Sequence, residues 1–283
     1  MKRLAYSVAD GAVVAKRNVI KIKRVPDVLV WVLMSPIMFV LLFAYVFGGA
    51  IDPGGGINYR EFLIAGIFTQ TVVFGATFTG AGMAEDMQKG IIDRFRSLPM
   101  SRSAVLVGRT VSDVIYNVLS VAIMALTGLI IGWAIRGTFV DAVTAFALLL
   151  LFSYAFSWVM AYVGLLVPSP DVINNASFMV IMPLTFVSNA FVPIDTFPGP
   201  LQRFAEWNPV SAVTQASRQL FGNLPDLTGV DAAVLQAQGV RIPTPSDAWS
   251  MQHPVAYSLI WVVIILAVFV PLSVRQYKRT ARR

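Results

Sequence analysis

The chain has 283 residues, of which 57% are hydrophobic and 13% are charged, and its net charge is +7. Because a soluble globular domain carries about 25% charged residues, this composition excludes an ordinary soluble domain and predicts an integral membrane protein. The chain contains no cysteine, which excludes disulfides, thiolate nucleophiles and cysteine metal sites.

Residues 1–27 predict a cytoplasmic amphipathic helix. Apolar side chains recur there at steps of three and four, as Val8, Ala12, Ala15, Val19 and Ile22. Lys16, Arg17, Lys23 and Arg24 lie on the other face, and Pro26 ends the helix. We expect it to lie in the plane of the headgroup layer. The alternative is a simple basic flank of the first membrane span.

Six apolar runs are long enough to cross a hydrocarbon core of about 30 Å. They are Val28–Ile51, Phe62–Met83, Val114–Trp133, Ala142–Val167, Val172–Val192 and Val255–Val274. A backbone in lipid must satisfy its own hydrogen bonds, and no series of short alternating strands is present, so each run should be a helix. The predicted fold is an all-α bundle of six transmembrane helices over residues 28–274.

The basic residues predict the orientation of this bundle. Seventeen of the 22 Lys and Arg residues lie before residue 28, between residues 83 and 109, or in the tail 275–283. Because basic loops stay on the cytoplasmic side, both termini should be cytoplasmic and the protein a multi-pass protein of the cell membrane. This topology explains the positive charge without a nucleic-acid partner.

The connection 83–103 is charged but amphipathic. Met87, Ile91 and Phe95 follow one helical face, and Leu98-Pro99 ends it. A short helix that holds these side chains outside the bilayer needs another surface to cover them. The pattern therefore predicts a docking partner, although a charged cluster can also be a solvated loop.

The same connection carries a family resemblance. Its run Gly90-Ile91-Ile92-Asp93-Arg94-Phe95-Arg96-Ser97-Leu98-Pro99, followed by Val107-Gly108-Arg109, resembles the signature of the daunorubicin-resistance permeases, the membrane subunits of ABC type-2 (type V) exporters. Further similar motifs follow the family's order, among them Phe47-Gly48-Gly49-Ala50, Phe152-Ser153-Tyr154, Pro183-Leu184-Thr185 and Asn208-Pro209-Val210.

The resemblance implies two membrane subunits of six helices, a homodimer or a pair with a homologous permease, above two separate ABC ATPase subunits. It also implies that the connection contains a coupling helix that docks on the ATPase. The implied coupling residues are Glu85, Asp86, Lys89, Gly90, Ile91, Ile92, Arg94, Phe95, Arg96, Leu98 and Pro99. The sequence has no G-x-x-x-x-G-K-[ST] motif. We therefore expect ATP and Mg²⁺ on the partner, no cofactor on this chain and no enzymatic activity of its own.

Residues 193–253 form the long external connection. Two apolar faces on either side of Pro209 predict two short helices, and the resemblance implies that they are outer re-entrant helices. Residues 222–253, with Pro225, Pro243 and Pro245, predict an irregular loop.

The second and fifth spans carry the candidate substrate path. The fifth has a polar stripe, Asn174, Ser177, Ile181, Thr185 and Ser188, and the second has small or polar residues at Gly66, Thr69, Gln70 and Ala76. The resemblance places these spans at the dimer interface. The alternative is helix packing within one chain.

The resemblance implies that the protein moves a hydrophobic or amphiphilic small molecule out of the cell. Such a cargo is a drug or antibiotic, a polyketide or a lipid. A membrane scaffold or receptor, or a transporter without an ATPase, remains the alternative.

The spacing of Arg109 and Asp113 favours a structural ion pair over a proton relay. A single histidine, His253, disfavours a metal-dependent protease and is expected at the surface.

Overall fold

The structure is a computed structural model that describes residues 34, 37–47, 51, 53, 58–91, 104–167, 169–224 and 242–280. Across these residues every regular element is helical. The helices are α1 (Ile37–Val46, ending in a π-helical turn at Phe43–Phe47), α2 (Tyr59–Gly75), α3 (Thr77–Gln88), α4 (Ala104–Ile130), α5 (Phe139–Gly164), α6 (Pro170–Phe186), α7 (Gly199–Trp207), α8 (Pro209–Phe221), α9 (Trp249–Gln252) and α10 (Pro254–Thr280). The predicted helix in residues 1–27 lies outside the described residues.

Four helical segments are long and apolar enough to cross a membrane. They are Tyr59–Gln88, Leu106–Ile130, Phe139–Gly164 and Pro254–Tyr277, and they correspond to the second, third, fourth and sixth predicted spans. The first predicted span is represented by the short apolar helix α1. The fifth is represented by α6, which has 17 residues.

Several helix ends differ from the sequence prediction for local reasons. The third predicted span lies in α4, which begins at Ala104 and includes the ion pair of Arg109 and Asp113. It ends before Trp133 because Gly132 adopts φ +97°, a left-handed conformation that terminates a helix. Helix α6, which corresponds to the fifth predicted span, stops at Phe186, and the residues from there to Val192 form a turn.

The predicted second span is divided into α2 and α3 at Ala76. This residue keeps helical dihedral angles, φ −63° and ψ −22°, and its N–H donates to Val72 O. The chain therefore continues from α2 into α3 in helical geometry. The far end of α3 carries Glu85 and Lys89, the first residues of the candidate coupling segment with partly exposed side chains.

Helix α5 occupies the centre of the bundle. It packs against α2, α3, α4, α6, α8 and α10, as expected of a helix with apolar side chains on all sides. Its buried residues Leu149, Phe152 and Ala155 join the main core with Ile64 and Phe68 of α2. The outer faces of α4 and α10 expose large apolar residues such as Leu126 and Val263, which suits contact with lipid.

The connection 193–253 contains two helices, α7 and α8, which are separated at Asn208, and this confirms the predicted break. Helix α8 enters the bundle, with Val213, Ala216 and Phe221 fully buried. Helix α7 keeps an apolar face outside, where Phe204 and Trp207 are more than half exposed. Residues 242–248 have no regular structure, as predicted for that part of the loop, and His253 is exposed.

Candidate functional site: an aromatic cavity within the bundle

A cavity of about 450 Å³ lies where α1, α2, α3, α4 and α6 converge. This size suits a drug-sized molecule. Its lining consists of Phe39, Ile67, Gln70, Thr71, Phe74, Gly75, Thr77, Phe78, Tyr116, Ser120, Asn174, Ser177, Phe178 and Met182. None of these residues carries a carboxylate, an amine or a guanidinium group.

Aromatic pairs form two sides of the cavity. The rings of Phe74 and Phe178 lie 6.2 Å apart between their centroids and connect α2 with α6. The rings of Phe78 and Tyr116 lie 5.5 Å apart, edge to face, and connect α3 with α4. Phe39 of α1 stacks on Phe43 at 5.7 Å. The faces and edges of these rings favour a flat apolar ligand.

Residues on both sides of Ala76 line the cavity. Phe74 and Gly75 end α2, and Thr77 and Phe78 begin α3. Gly75 allows close packing on α4, since an added Cβ would displace the Asn117 side chain. The close approach of α2 and α4 at this glycine closes one wall.

A polar contact ties α3 to α4 directly below the cavity. The Thr79 hydroxyl donates to the Asp113 carboxylate, and Arg109 Nη2 donates to the Phe78 carbonyl oxygen at 2.9 Å. Arg109 Nε lies 3.9 Å from Asp113 Oδ2. Asp113 is therefore held by a cation and a hydroxyl, which confirms the predicted ion pair and extends it to α3.

Three of the predicted path residues line this cavity: Gln70, Asn174 and Ser177. The other predicted path residues lie in contacts within the chain. Thr69 and Thr185 donate to the carbonyl groups of Ala65 and Ile181, while Ala76 and Ile181 are buried in apolar clusters. Gly66 faces the Ala190 backbone, and Ser188 Oγ accepts from Ala190 N at 3.1 Å.

Eleven of the fourteen lining residues are absent from the path predicted from the sequence, and among them are two polar residues of α4, Tyr116 and Ser120. They lie on α4, where Arg109, Asp113, Tyr116 and Ser120 follow one helical face. This polar face in an otherwise apolar helix is the signal that could have identified them. Only the packing of α4 against α2 and α3 directs it toward the cavity.

The described part of the candidate coupling segment lies at the end of α3. Lys89 Nζ donates to Glu85 Oε1 at 2.6 Å, and this hydrogen bond raises the pKa of Lys89. Gly90 adopts φ +63° and ends the helix, and a Cβ there would meet nothing within 4 Å. Asp86 is buried, and Ile91 is half-buried. The other predicted coupling residues, Ile92, Arg94, Phe95, Arg96, Leu98 and Pro99, lie outside the described residues.

A second polar cluster holds α8 against the outer part of the bundle. Arg218 Nε donates to Phe62 O at 2.9 Å, and its Nη2 donates to Asn189 O at 2.6 Å. Its guanidinium carbon lies 3.5 Å from the centroid of the Phe62 ring. Asn208 Nδ2 caps the end of α6 through Leu184 O at 2.7 Å. A buried arginine is thus held by backbone carbonyl groups and a ring face.

Comparison with known proteins agrees with this architecture. The sequence pattern of the ABC-2 type transporter family matches residues 11–221. The chain is 30% identical over 262 residues to the daunorubicin resistance ABC transporter permease protein DrrB1 of Streptomyces coeruleorubidus, covering 93% of this chain and 83% of that protein.

More distant relatives extend the comparison. A putative transport permease, ycf38, of Cyanophora paradoxa is 25% identical and covers 77% of this chain and 76% of its own length. The probable doxorubicin resistance ABC transporter permease protein DrrC of Mycobacterium tuberculosis is 21% identical. The match covers 74% of this chain and 76% of DrrC. The extent of the family match and the identity to a permease over nearly the whole chain establish that this chain belongs to the ABC-2 type transporter family.

Proposed function

We propose that this chain is the transmembrane permease subunit of an ATP-driven exporter that moves hydrophobic or amphiphilic compounds out of the cell. The transported compound would be a drug, a polyketide or a lipid. The observation that carries it is the aromatic cavity, which is open to one side, lies between the helices of a family member and has drug-sized dimensions.

The cavity and the candidate coupling segment share one helix. Helix α3 begins with the cavity residues Thr77 and Phe78 and ends beside Glu85 and Lys89. A push on the coupling segment would therefore move the cavity wall through a single rigid element. The contact of Thr79 and Phe78 with α4 would transfer that movement to Tyr116 and Ser120.

The energy source belongs to a second polypeptide in this proposal. The chain lacks a P-loop motif, so two separate ABC ATPase subunits would bind ATP and Mg²⁺ and dock on the coupling segments. Their closure on nucleotide would shift the bundles and open the path outward. The permease itself is a non-catalytic transport component.

A second copy of this chain, or a homologous permease, completes the proposed transporter. Helix α6 exposes Phe178, Met179 and Val180 by 54%, 79% and 66%, beside the cavity residues Asn174 and Ser177. A partner helix against this face would cover the apolar side chains and place two cavities near one interface. Membrane lipid is the alternative cover for the same side chains.

Substitution of the coupling segment tests the assignment. Ile91→Asp, alone and with Phe95→Asp, should abolish co-purification with the proposed ABC ATPase partner, because a carboxylate would replace the apolar contact. Transport into inverted vesicles should fall with it. The matched control is Ile242→Asp in the external connection, which should leave both unchanged.

Two results would contradict this function. Normal ATPase binding and transport by the double variant would exclude coupling through residues 85–99. A purified chain that transports, or acts as a receptor, without any ATPase would favour the alternative of an ATP-independent transporter or membrane scaffold.

A further inference from the structure

Three polar residues of α4 lie at steps of four on the face that packs against α2 and α3. Each of them meets one small residue of those helices, in the pairs Arg109–Gly82, Asp113–Thr79 and Asn117–Gly75. We call these three pairs the polar ladder. The ladder extends from the cavity residue Gly75 to Gly82, which is within one helical turn of the candidate coupling residue Glu85.

The first pair places a cation of α4 on the backbone of α3. A Cβ at position 82 would overlap the guanidinium group of Arg109, so Gly82 leaves the space that this group occupies. From there Arg109 Nη2 donates to Phe78 O at 2.9 Å. A hydrogen bond from a charged donor is stronger than one between neutral groups. Arg109 therefore holds α3 by a backbone atom, which cannot rotate away as a side chain can.

The other two pairs extend this contact toward the cavity. The Asp113 carboxylate accepts a hydrogen bond from the Thr79 hydroxyl and lies 3.9 Å from Arg109 Nε, so the first pair supports the second. Asn117 Nδ2 donates to Asp113 O at 2.8 Å, and the Asn117 side chain packs on Gly75. Asp113 is 7% exposed, and loss of one partner of a buried charged group is costly. Sliding of α3 along α4 would break these contacts together.

Helix α6 forms another wall of the cavity without such contacts. It packs on α3 through apolar residues such as Ile173, which is buried with Ala76 and Ala84. Within the described part of the chain, the hydrogen bonds of α6 to other segments reach Asn208 at its outer end, and none reaches α3 or α4. Apolar helix contacts can shift by small sliding movements. Helix α6 can therefore change its distance from α3 while α3 and α4 keep theirs.

We propose that Arg109 and Asp113 are positioning residues that join α3 and α4 into one rigid body. Motion of the coupling segment would then move both helices together and change the shape of the cavity at its α6 wall. This inference rests on the proposed function. It adds the residues that transmit the motion and the wall of the cavity against which it occurs.

Spin-label distances test this division, because the chain has no native cysteine. The labelled pairs are Gln88→Cys with Val111→Cys, which measures α3 against α4, and Val111→Cys with Val172→Cys, which measures α4 against α6. All three side chains are exposed. Each pair is measured in the permease–ATPase complex in lipid nanodiscs, without nucleotide and with ADP and vanadate. A small fraction of labelled chains is mixed with unlabelled chains, so that each distance is measured within one chain.

The wild-type complex should show movement in one pair alone. We expect the distance between α4 and α6 to change by about 2–5 Å on trapping with nucleotide, the range of helix shifts in switching proteins. The distance between α3 and α4 should stay constant within about 1 Å, because the ladder remains closed. A change of the α3–α4 distance in the wild type, or a constant α4–α6 distance, would overturn the proposal.

Loss of the ladder should separate the movements of α3 and α4. Thr79→Val removes the hydroxyl at nearly equal size, and Gly82→Ala displaces Arg109 from Phe78 O. In the double variant the α3–α4 distance should change on trapping by about 2 Å or more, and the α4–α6 change should shrink. Thr79→Ser retains the hydroxyl and should behave as the wild type.

Thr110→Val is the matched control for the loss of a buried hydroxyl. Thr79 and Thr110 are both 0% exposed, but the Thr110 hydroxyl donates to Leu106 O at 3.1 Å within α4. This variant should leave both distance changes as they are in the wild type. Separation of α3 and α4 in Thr110→Val as well would show that any buried change loosens the bundle, and it would contradict a specific role of the ladder.

The melting midpoint of the complex distinguishes transmission from stability. A merely structural ladder would lower the midpoint of the double variant and leave its α3–α4 distance the same in both nucleotide states. That result would overturn the proposal. A nucleotide-dependent α3–α4 distance in a double variant that still co-purifies with the ATPase supports it, since stability alone does not make a distance depend on nucleotide.

Failure of this proposal is distinguishable from failure of the proposed function. A wild-type complex that hydrolyses ATP and transports while α3 and α4 separate contradicts the ladder and leaves the exporter function intact. A wild-type chain that binds no ATPase contradicts the exporter function, and the transmission proposal then fails with it before any distance is measured.

Discussion

Single glycines decide how closely the helices of this protein approach each other. A Cβ at Gly66 would overlap the Ala190 carbonyl group, and a Cβ at Gly80 would lie 2.8 Å from Met160 O. Both obstacles are backbone atoms, which cannot move without displacing a helix or a turn. The small-residue face of the second predicted span thus contacts this chain's own backbone at these two positions.

Gly66→Ala should lower the stability of the protein, because the new methyl group overlaps a backbone carbonyl that cannot rotate away. The expected loss is about 1–3 kcal/mol, measured as a lower melting midpoint in detergent by tryptophan fluorescence. Gly199→Ala is the control, since a Cβ there meets nothing within 4 Å. Equal midpoints for the two variants would mean that the contact between Gly66 and Ala190 does not form.

At the scale of elements, α8 is joined to its neighbours by polar side chains on one helical face. Asn208, Ser211, Gln215 and Arg218 follow steps of three and four and bond the end of α6 and the turn after it. Arg218 extends this contact to α2 through Phe62 O. Helix α8, the end of α6 and the start of α2 should therefore move together.

Arg218→Met should break this connection while preserving side-chain length. Three backbone carbonyl groups, at Phe62, Asn189 and Ala190, would lose their donor inside the bundle. The expected loss is about 3 kcal/mol or more, since a hydrogen bond to a charged group contributes about 1.5–3 kcal/mol. Arg203→Met, on the exposed surface of α7, should change the melting midpoint little. A similar effect of both changes would argue against the role of Arg218.

At the scale of the whole molecule, the four long apolar segments and the lipid-suited faces of α4 and α10 describe a multi-pass membrane protein. The distribution of Lys and Arg predicts its orientation. Lys89 should then lie on the cytoplasmic side and Thr244 on the external side. The absence of native cysteine makes single-cysteine labelling a direct test.

Lys89→Cys and Thr244→Cys should react with a membrane-impermeant maleimide from opposite sides of the membrane. Thr244→Cys should label in intact cells, and Lys89→Cys only in inverted vesicles, because the side chains at both positions are exposed. Labelling of both from the same side would exclude the predicted topology. Labelling after detergent solubilisation controls for reactivity.

Local patterns were sufficient for much of the fold. The apolar runs predicted the second, third, fourth and sixth helices, because burial in lipid requires long stretches without charge. Pro209 predicted the break between α7 and α8, because the fixed φ and missing N–H of proline suit the first position of a helix. The helix ends were less accurate: Gly132, with a left-handed φ, ended α4 before Trp133.

The amino-acid sequence by itself determined that this is a helical membrane protein and that it carries its family signature, since these depend on composition and local spacing. Only the tertiary structure decided which polar residues share a cavity. Tyr116 and Ser120 line one cavity with Gln70 and Ser177 because α4 and α6 both lie beside the junction of α2 and α3 at Ala76. Helical periodicity shows which residues share a face, but the direction of that face depends on contacts between distant segments, as Arg218 and Phe62 show at the outer end.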